Sequence, residues 1–205
     1  MKVNKHIGLF FGSFNPIHVG HLIIASHMVN RGNLDEVWLV VSPQNPFKEK
    51  ASLLSDTHRL NLARIATEEN DKISVSNIEF NLPKPSYTVH TLVHLKEKHP
   101  STKFSLIMGE DNLRGLHKWE NVESIIQEHS IYVYPRVRTL QEEGKELSTQ
   151  IHESLNGADI TMVDGPILNI SASFIRKSIQ ENKPVTYLLT SEVEKYVEEM
   201  HFYKQ

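Results

Sequence analysis

The chain has 205 residues, a formal net charge of −3, 23% charged and 39% hydrophobic residues, and no cysteine. That length suits one α/β domain, residues 1–205, with a full core, the charge gives no reason to expect nucleic acid or a membrane as partner, and disulfides and thiol catalysis are excluded. No apolar run approaches membrane-spanning length and the first residues lack a secretory apolar region, so a cytoplasmic location is expected.

Ile7 to Phe11 is a short apolar run of strand length, broken by Gly12 and Ser13. Asn15-Pro16 then predicts a helix start, with Asn15 as N-cap and Pro16 at the first helical position. Ile17, Val19, Leu22, Ile23, Ala25 and Met28 carry that helix to about Arg31. Strand, tight glycine turn and helix form a layout in which N–H groups and the helix dipole receive phosphate. His18 and His21 are one turn apart and stand on one face near the helix mouth. Gly20 between them leaves room for a ligand's phosphates. Two donors beside a phosphate cradle suit phosphoryl chemistry, where positioning and charge stabilisation do most of the catalysis. A metal site or a purely structural pair would use the same spacing. Zinc needs three or four ligands, however, and neither a cysteine nor a third histidine in a partner position is present, so no protein-held metal is expected.

The segment Phe11-Gly-Ser-Phe-Asn-Pro-Ile-His-Val-Gly-His21 resembles the G-x-F-x-P-x-H-x-G-H signature of the nucleotidyltransferase superfamily, which transfers AMP or CMP to phosphate acceptors. Within it the chain is similar to the bacterial nicotinate-nucleotide adenylyltransferases. Phe11 stands where that family often has a second glycine, and Asn15 where it often has aspartate. Neither departure removes the glycine turn or the histidines. The resemblance implies ATP and nicotinate mononucleotide as substrates, with Mg²⁺ held mainly by the ATP phosphates. It makes His18 and His21 catalytic, puts Gly12, Ser13, Phe14 and Gly20 on the ATP side, and Asn15 on the mononucleotide side.

Glu36 to Val41 reads as a continuous apolar strand, buried on both faces as parallel sheets require. The loop after it, Ser42 to Lys50, lies where open α/β sheets bind ligands. Its Pro43-x-x-Pro46-Phe47-Lys48 resembles the family's P-x-x-x-P-H-K, one residue short and with Phe47 for histidine, and implies that Lys48 contacts phosphate. Ser55 or Asp56 caps a helix running to Ala66. Its His58-Arg-Leu-x-Leu-Ala63 resembles the family's R-L-x-M-x-x-A, a segment with a structural reading. Ile73 to Ser76 alternates like a short strand. Pro83-Lys-Pro85 ends regular structure, and Ser86 to Leu92 opens the next helix. Pro85-Ser-Tyr-Thr-x-x-Thr-Leu92 resembles the family's P-S-Y-T-x-x-T-L, implying that Tyr87 and Thr88 meet the mononucleotide. Tyr87 offers a ring to cover a flat base, and Thr88 a hydroxyl.

Phe104 to Met108 is another buried strand, followed by Gly109 and Asp111, the latter a candidate cap for the next helix. Gly109, Asp111, Leu113, Leu116 and Trp119 match the family's Gly-x-Asp-x-Leu-x-x-Leu-x-x-Trp. The resemblance assigns Gly109 to the ATP side and Asp111 and Trp119 to the mononucleotide pocket. Ser130 to Tyr134 is a strand, and Arg136 after it is a candidate phosphate contact. A polar helix is expected from about Leu140 to Leu155, and a last strand at Ile160 to Val163. Asn169 to Ile179 starts a helix resembling the family's I-S-S-T-x-I-R, which implies a second anion site of Ser171, Ser173, Phe174 and Arg176. Ser191-x-x-Glu194 reads as a capping box for a closing amphipathic helix of Val193, Tyr196, Val197 and Met200.

Alternating strands and helices predict a Rossmann-like, doubly wound, mainly parallel sheet with helices on both faces and its site at the carboxyl ends. The expected reaction is direct in-line adenylyl transfer from ATP to nicotinate mononucleotide. The alternatives are another phosphate acceptor, nicotinamide mononucleotide or phosphopantetheine, or a nucleotide-binding module without turnover.

Overall fold

The computed structural model describes residues 5–43, 53–135 and 152–204. Six strands form one sheet in the order β3-β2-β1-β4-β5-β6. They are β1 (Lys5–Gly12), β2 (Glu36–Val41), β3 (Ile73–Ser76), β4 (Thr102–Gly109), β5 (Ile131–Tyr134) and β6 (Ile160–Met162). All five pairings are parallel, as expected of strands that read as unbroken apolar runs. The order reverses at β1, which pairs Phe11 with Val40 on one side and Phe10 with Ile107 on the other. A crevice therefore opens beyond the carboxyl ends of β1 and β4.

The helices are α1 (Val19–Arg31), α2 (Asp56–Thr67), α3 (Thr88–Lys98), α4 (Glu110–Gly115), α5 (Val122–Glu128), α6 (Ala172–Gln180) and α7 (Ser191–Glu199). They cover both faces, because alternate strand residues feed two separate apolar clusters. Val37, Leu39 and Val41 pack with Ala25, Met28, Leu60, Ile175 and Val193 from α1, α2, α6 and α7. Leu9, Val40, Leu106 and Val133 pack with Val89, Leu92, Leu95 and Ile125 from α3 and α5.

Several element starts differ from the sequence reading. Helix α1 begins at Val19, not at Pro16, and His18 is its extended N-cap. Asn15 cannot cap it, because its side-chain oxygen accepts from the Leu54 N–H at 3.1 Å and from the Tyr203 hydroxyl at 2.8 Å. Helix α4 has Gly109 as N-cap, so Asp111 sits inside its first turn. Helix α6 begins at Ala172, capped by Ser171. The capping box of α7 does not form: Thr190 is the cap, accepting from the Val193 N–H at 3.4 Å, and Glu194 accepts from the Thr186 hydroxyl instead. Most of the expected helix from Leu140 lies outside the described residues; its end is a single 3-10 turn, Glu153–Leu155.

Candidate active site

A cleft of about 860 Å³ occupies the crevice. Its floor begins where β1 ends. Phe14 takes a left-handed backbone conformation, φ 45°, and its ring is buried. That ring lies under Gly12, where a Cβ would come 2.8 Å from Phe14 Cζ, so the glycine is required by this contact. The Phe14 ring then meets His21 edge-on, centroids 5.0 Å apart, and His18 stacks on His21 at 3.7 Å. The His18 N–H donates to His21 Nδ1 at 3.3 Å, which is the reach-back half of a capping box. With Nδ1 accepting, the neutral His21 ring carries its proton on Nε2 and presents a donor there.

Two parts of the expected phosphate cradle are different in the structure. The space above Gly20 belongs to the His18 imidazole, since a Cβ on Gly20 would lie 3.0 Å from His18 Nδ1. Gly20 therefore makes room for the His18 ring, and it lines the cleft beside it. In the first turn of α1, the Val19 N–H donates to the Leu188 carbonyl at 3.0 Å and the His21 N–H to the His18 carbonyl at 2.9 Å. Two of the first N–H groups of α1 are thus already paired within the protein.

The turn itself is held from beneath by Arg59, a residue that the sequence reading left as structural. Its guanidinium is fully buried. It donates to the carbonyls of Ser13 at 2.6 Å, Ser42 at 2.9 Å and Leu54 at 3.0 Å, and to Asp56 Oδ1 at 2.6 Å. Burial pulls its pKa down and the Asp56 carboxylate opposes that pull. The Gly12 carbonyl accepts from the Ser42 N–H at 2.9 Å. The carboxyl ends of β1 and β2 are thus one rigid unit. Its signal in the sequence is a lone arginine on the apolar face of α2, one turn from Leu62 and Ala63.

Across the cleft, Ser171 caps α6 by accepting from the Phe174 N–H at 3.2 Å. Arg176, one turn on, donates to the Asn15 carbonyl at 2.8 Å and to Ser173 Oγ at 3.2 Å. The first turns of α6 and the histidine loop are thereby joined. Ser171, Ser173 and Arg176 line the cleft with Gly12, Ser13, Phe14, Gly20 and both histidines. Phe174 is the exception: its side chain is 58% exposed and lies outside the cleft lining.

Tyr87, Thr88, Gly109, Asp111, Trp119 and Asn15 line the same cleft. Tyr87 is the N-cap of α3 and makes no side-chain cap bond, so Thr88 opens the helix. Gly109 and Asp111 are close neighbours here: a Cβ on Gly109 would lie 2.6 Å from Asp111 Oδ1, so the glycine leaves the carboxylate its present position. Lys48 and Arg136 lie outside the described residues. Two lining cations escaped the sequence reading, Lys84, whose Nζ is 3.5 Å from Asp56 Oδ2, and Lys118. So did Glu79, a buried carboxyl in the lining that accepts from Thr91 Oγ1 at 2.8 Å. Burial pushes its pKa up, against the hydrogen bonds from Thr91 and Ser42.

The family model described as cytidylyltransferase-like matches residues 9–178. Similar curated proteins include the probable nicotinate-nucleotide adenylyltransferase of Christiangramia forsetii, 54% identical over 98% of this chain and 100% of that one. Its counterpart in Flavobacterium psychrophilum is 51% identical, covering 97% and 99%. That of Bacteroides fragilis is 41% identical, covering 93% and 90%. Among solved structures, Plasmodium falciparum nicotinic acid mononucleotide adenylyltransferase complexed with NaAD superposes with a TM-score of 0.78 over 98% of both chains at 21% identity, a likeness of fold.

Proposed function

The chain belongs to the nicotinate-nucleotide adenylyltransferase family, and on that premise we propose that its cleft transfers the adenylyl group of ATP to nicotinate mononucleotide. The products are nicotinate adenine dinucleotide and pyrophosphate, a step of NAD biosynthesis. The observation that carries the reading is the stacked histidine pair, seated on Phe14 and tied through Asn15 to Arg176 within one cleft.

An oxygen of the mononucleotide 5′-phosphate attacks the α-phosphorus of ATP in line. Its lone pair becomes the new P–O bond, and the bond to the bridging oxygen breaks with its electron pair leaving on pyrophosphate. No covalent nucleophile is needed. His21 Nε2–H and the His18 imidazole donate to the oxygens on which charge builds, in a site whose geometry is set before the substrate arrives. Arg176, with Ser171 and Ser173, holds the leaving pyrophosphate, and Lys48 serves the same triphosphate. Gly12, Gly20 and Gly109 let backbone and rings close on the nucleotide.

On the acceptor side, Tyr87 and Trp119 enclose the pyridine, and the Thr88 hydroxyl with the first N–H groups of α3 receives its carboxylate. Asp111 meets a ribose and not that carboxylate, because like charges would favour the amide. Asn15 shapes this side through its backbone, its side-chain oxygen being spent on Leu54 and Tyr203. Arg136 is assigned to the mononucleotide.

The family uses Mg²⁺ with ATP. The donors facing the phosphates are imidazole, hydroxyl and guanidinium groups, which suit anions and not a hard cation. Among the described residues no cluster of three metal-ligating side chains occurs. When bound, the ion would be held mainly by the triphosphate oxygens and would neutralise their charge. No helix among the described residues is long and apolar enough to cross a membrane. The reading places one nucleotidyltransferase domain in the cytoplasm, where ATP is at hand.

The test supplies ATP, Mg²⁺ and one acceptor at a time: nicotinate mononucleotide, nicotinamide mononucleotide or phosphopantetheine. Pyrophosphate and dinucleotide are measured. Nicotinate mononucleotide should be preferred over the nicotinamide form by at least about 10²-fold in kcat/KM, since buried donors left unpaired are costly. Equal use of the two would remove the carboxylate-recognition reading, and turnover of phosphopantetheine alone would remove the acceptor assignment.

A further inference from the structure

We infer that Tyr203, at the far end of the described chain, is a positioning residue for the adenylyl-transfer loop, acting through Asn15. The inference rests on the activity proposed above.

The tail after α7 is built to point this ring inward. The N–H groups of His201 and Phe202 return to the carbonyls of Glu198 at 3.1 Å and Val197 at 3.0 Å, closing the helix end. His201 and Tyr203 both adopt left-handed backbone conformations, φ 52° and 61°. Residues other than glycine stay there only when their surroundings hold them. The holding contacts are aromatic: Phe202 meets His58 edge-on at 4.8 Å and Tyr196 at 5.9 Å. Tyr203 then donates its hydroxyl to Asn15 Oδ1 at 2.8 Å.

Asn15 is buried and receives partners at both of its carbonyl groups. Its side-chain oxygen takes Tyr203 and the Leu54 N–H, and its main-chain oxygen takes Arg176 Nη1 at 2.8 Å. Three residues later comes His18, whose N–H in turn orients His21. A shift of Asn15 would therefore move both imidazoles and the guanidinium assigned to pyrophosphate. Burial raises the Tyr203 phenol far above its ordinary pKa, although Arg176 and Arg59 pull it down, so it remains a proton donor.

The test is a double-mutant cycle in kcat with nicotinate mononucleotide and ATP. Tyr203→Phe keeps the ring and removes only the donor; kcat should fall roughly 3- to 10-fold, the scale of one buried hydrogen bond, with KM for each substrate changed by less than about twofold. In an Asn15→Ala background the same change should cost nothing more, because the acceptor is gone. Wild-type kcat in Tyr203→Phe, or losses that multiply in the double variant, overturns the inference. Hydrogen exchange of Tyr203→Phe alone gives a second readout that needs neither turnover nor the Asn15 variant. Faster exchange confined to the amides of Ser13 to His18, with those of β5 unchanged, supports the tether. No acceleration, or the same acceleration in both segments, overturns it. A wild-type protein that turns over no mononucleotide refutes the activity, and exchange then judges the tether alone.

Discussion

Replacing Arg59 by methionine tests whether the active-site turn is held from below. The substitution keeps a long apolar side chain but strips a donor from four main-chain carbonyls, those of Ser13, Ser42 and Leu54 and, at 3.4 Å, Pro43. Each buried acceptor left unpaired costs about 1–3 kcal/mol. Part of this is offset, because the guanidinium no longer has to be desolvated and Asp56, which is partly exposed, regains water. The net loss should be about 3–5 kcal/mol, the range for breaking a buried pair from one side. For a chain of this size each kcal/mol lowers Tm by about 2–4 °C, so the expected fall is roughly 6–20 °C. Thermal unfolding followed by circular dichroism measures it. At a temperature where the variant is still folded, kcat should also drop by about 10-fold or more, since the Ser13 carbonyl is free to drift and small misplacements are expensive. Arg59→Lys keeps the charge without the fork and should recover only part of the stability. A methionine variant within about 2 °C of wild type, with full kcat, would refute the clamp.

His18→Ala should lower kcat by roughly 10²-fold, as expected for a lost transition-state donor; the main-chain bond to His21 survives, so near wild-type turnover in the folded variant would defeat the imidazole's role. Arg176→Ala should weaken ATP use by roughly 1.5–3 kcal/mol and should also slow turnover, because the Asn15 carbonyl loses its partner; equal losses of affinity for ATP and mononucleotide would point to scaffolding alone. Burial raises the pKa of Glu36, but hydrogen bonds from Lys5, Ser74 and Trp38 outweigh it and hold the carboxyl below its usual range. A lowered folded-state pKa contributes stability above the unfolded value and loses it as pH falls through the folded one. Glu36→Gln should therefore be less stable than wild type near pH 7, and urea midpoints should converge below roughly pH 4; a gap independent of pH would exclude the linkage.

The central strands were legible because a parallel strand buried on both faces is written as a continuous apolar run, and Glu36 to Val41 matches the structure residue for residue. Helix starts were less legible, since a cap depends on where its side chain goes. Asn15 has the composition of a cap, yet its oxygen is claimed by Leu54 and Tyr203, the second of them 188 positions away. Ser191 and Glu194 have capping-box spacing, but Thr190 reaches the free N–H first. The histidines, Arg176, Tyr87 and Asp111, each singled out by a local motif, line one cleft. Glu79 and Tyr203 meet partners distant in sequence, which no local pattern records, and Arg59 shows locally only as a lone arginine on an apolar face, not as the clamp on Ser13 and Ser42. What a side chain on Gly20 would meet, the neighbouring His18 ring, is likewise absent from any local pattern.

The reversal of strand order at β1 also bears on how the chain comes off the ribosome. β1 is made first and sits at the middle of the sheet, with β2 on one edge and β4 on the other. The β2 edge can be filled after one helix. The other edge waits for Ile107 to emerge, roughly 100 residues after Phe10, a delay of about 5–20 s at ordinary rates of synthesis. For that time a hydrophobic strand carries a bare row of N–H and C=O groups, which invites pairing with any extended neighbour. Chaperone capture during synthesis should therefore concentrate on nascent chains that end before β4, and slowing translation ahead of Thr102 should lower the soluble yield more than slowing it afterwards.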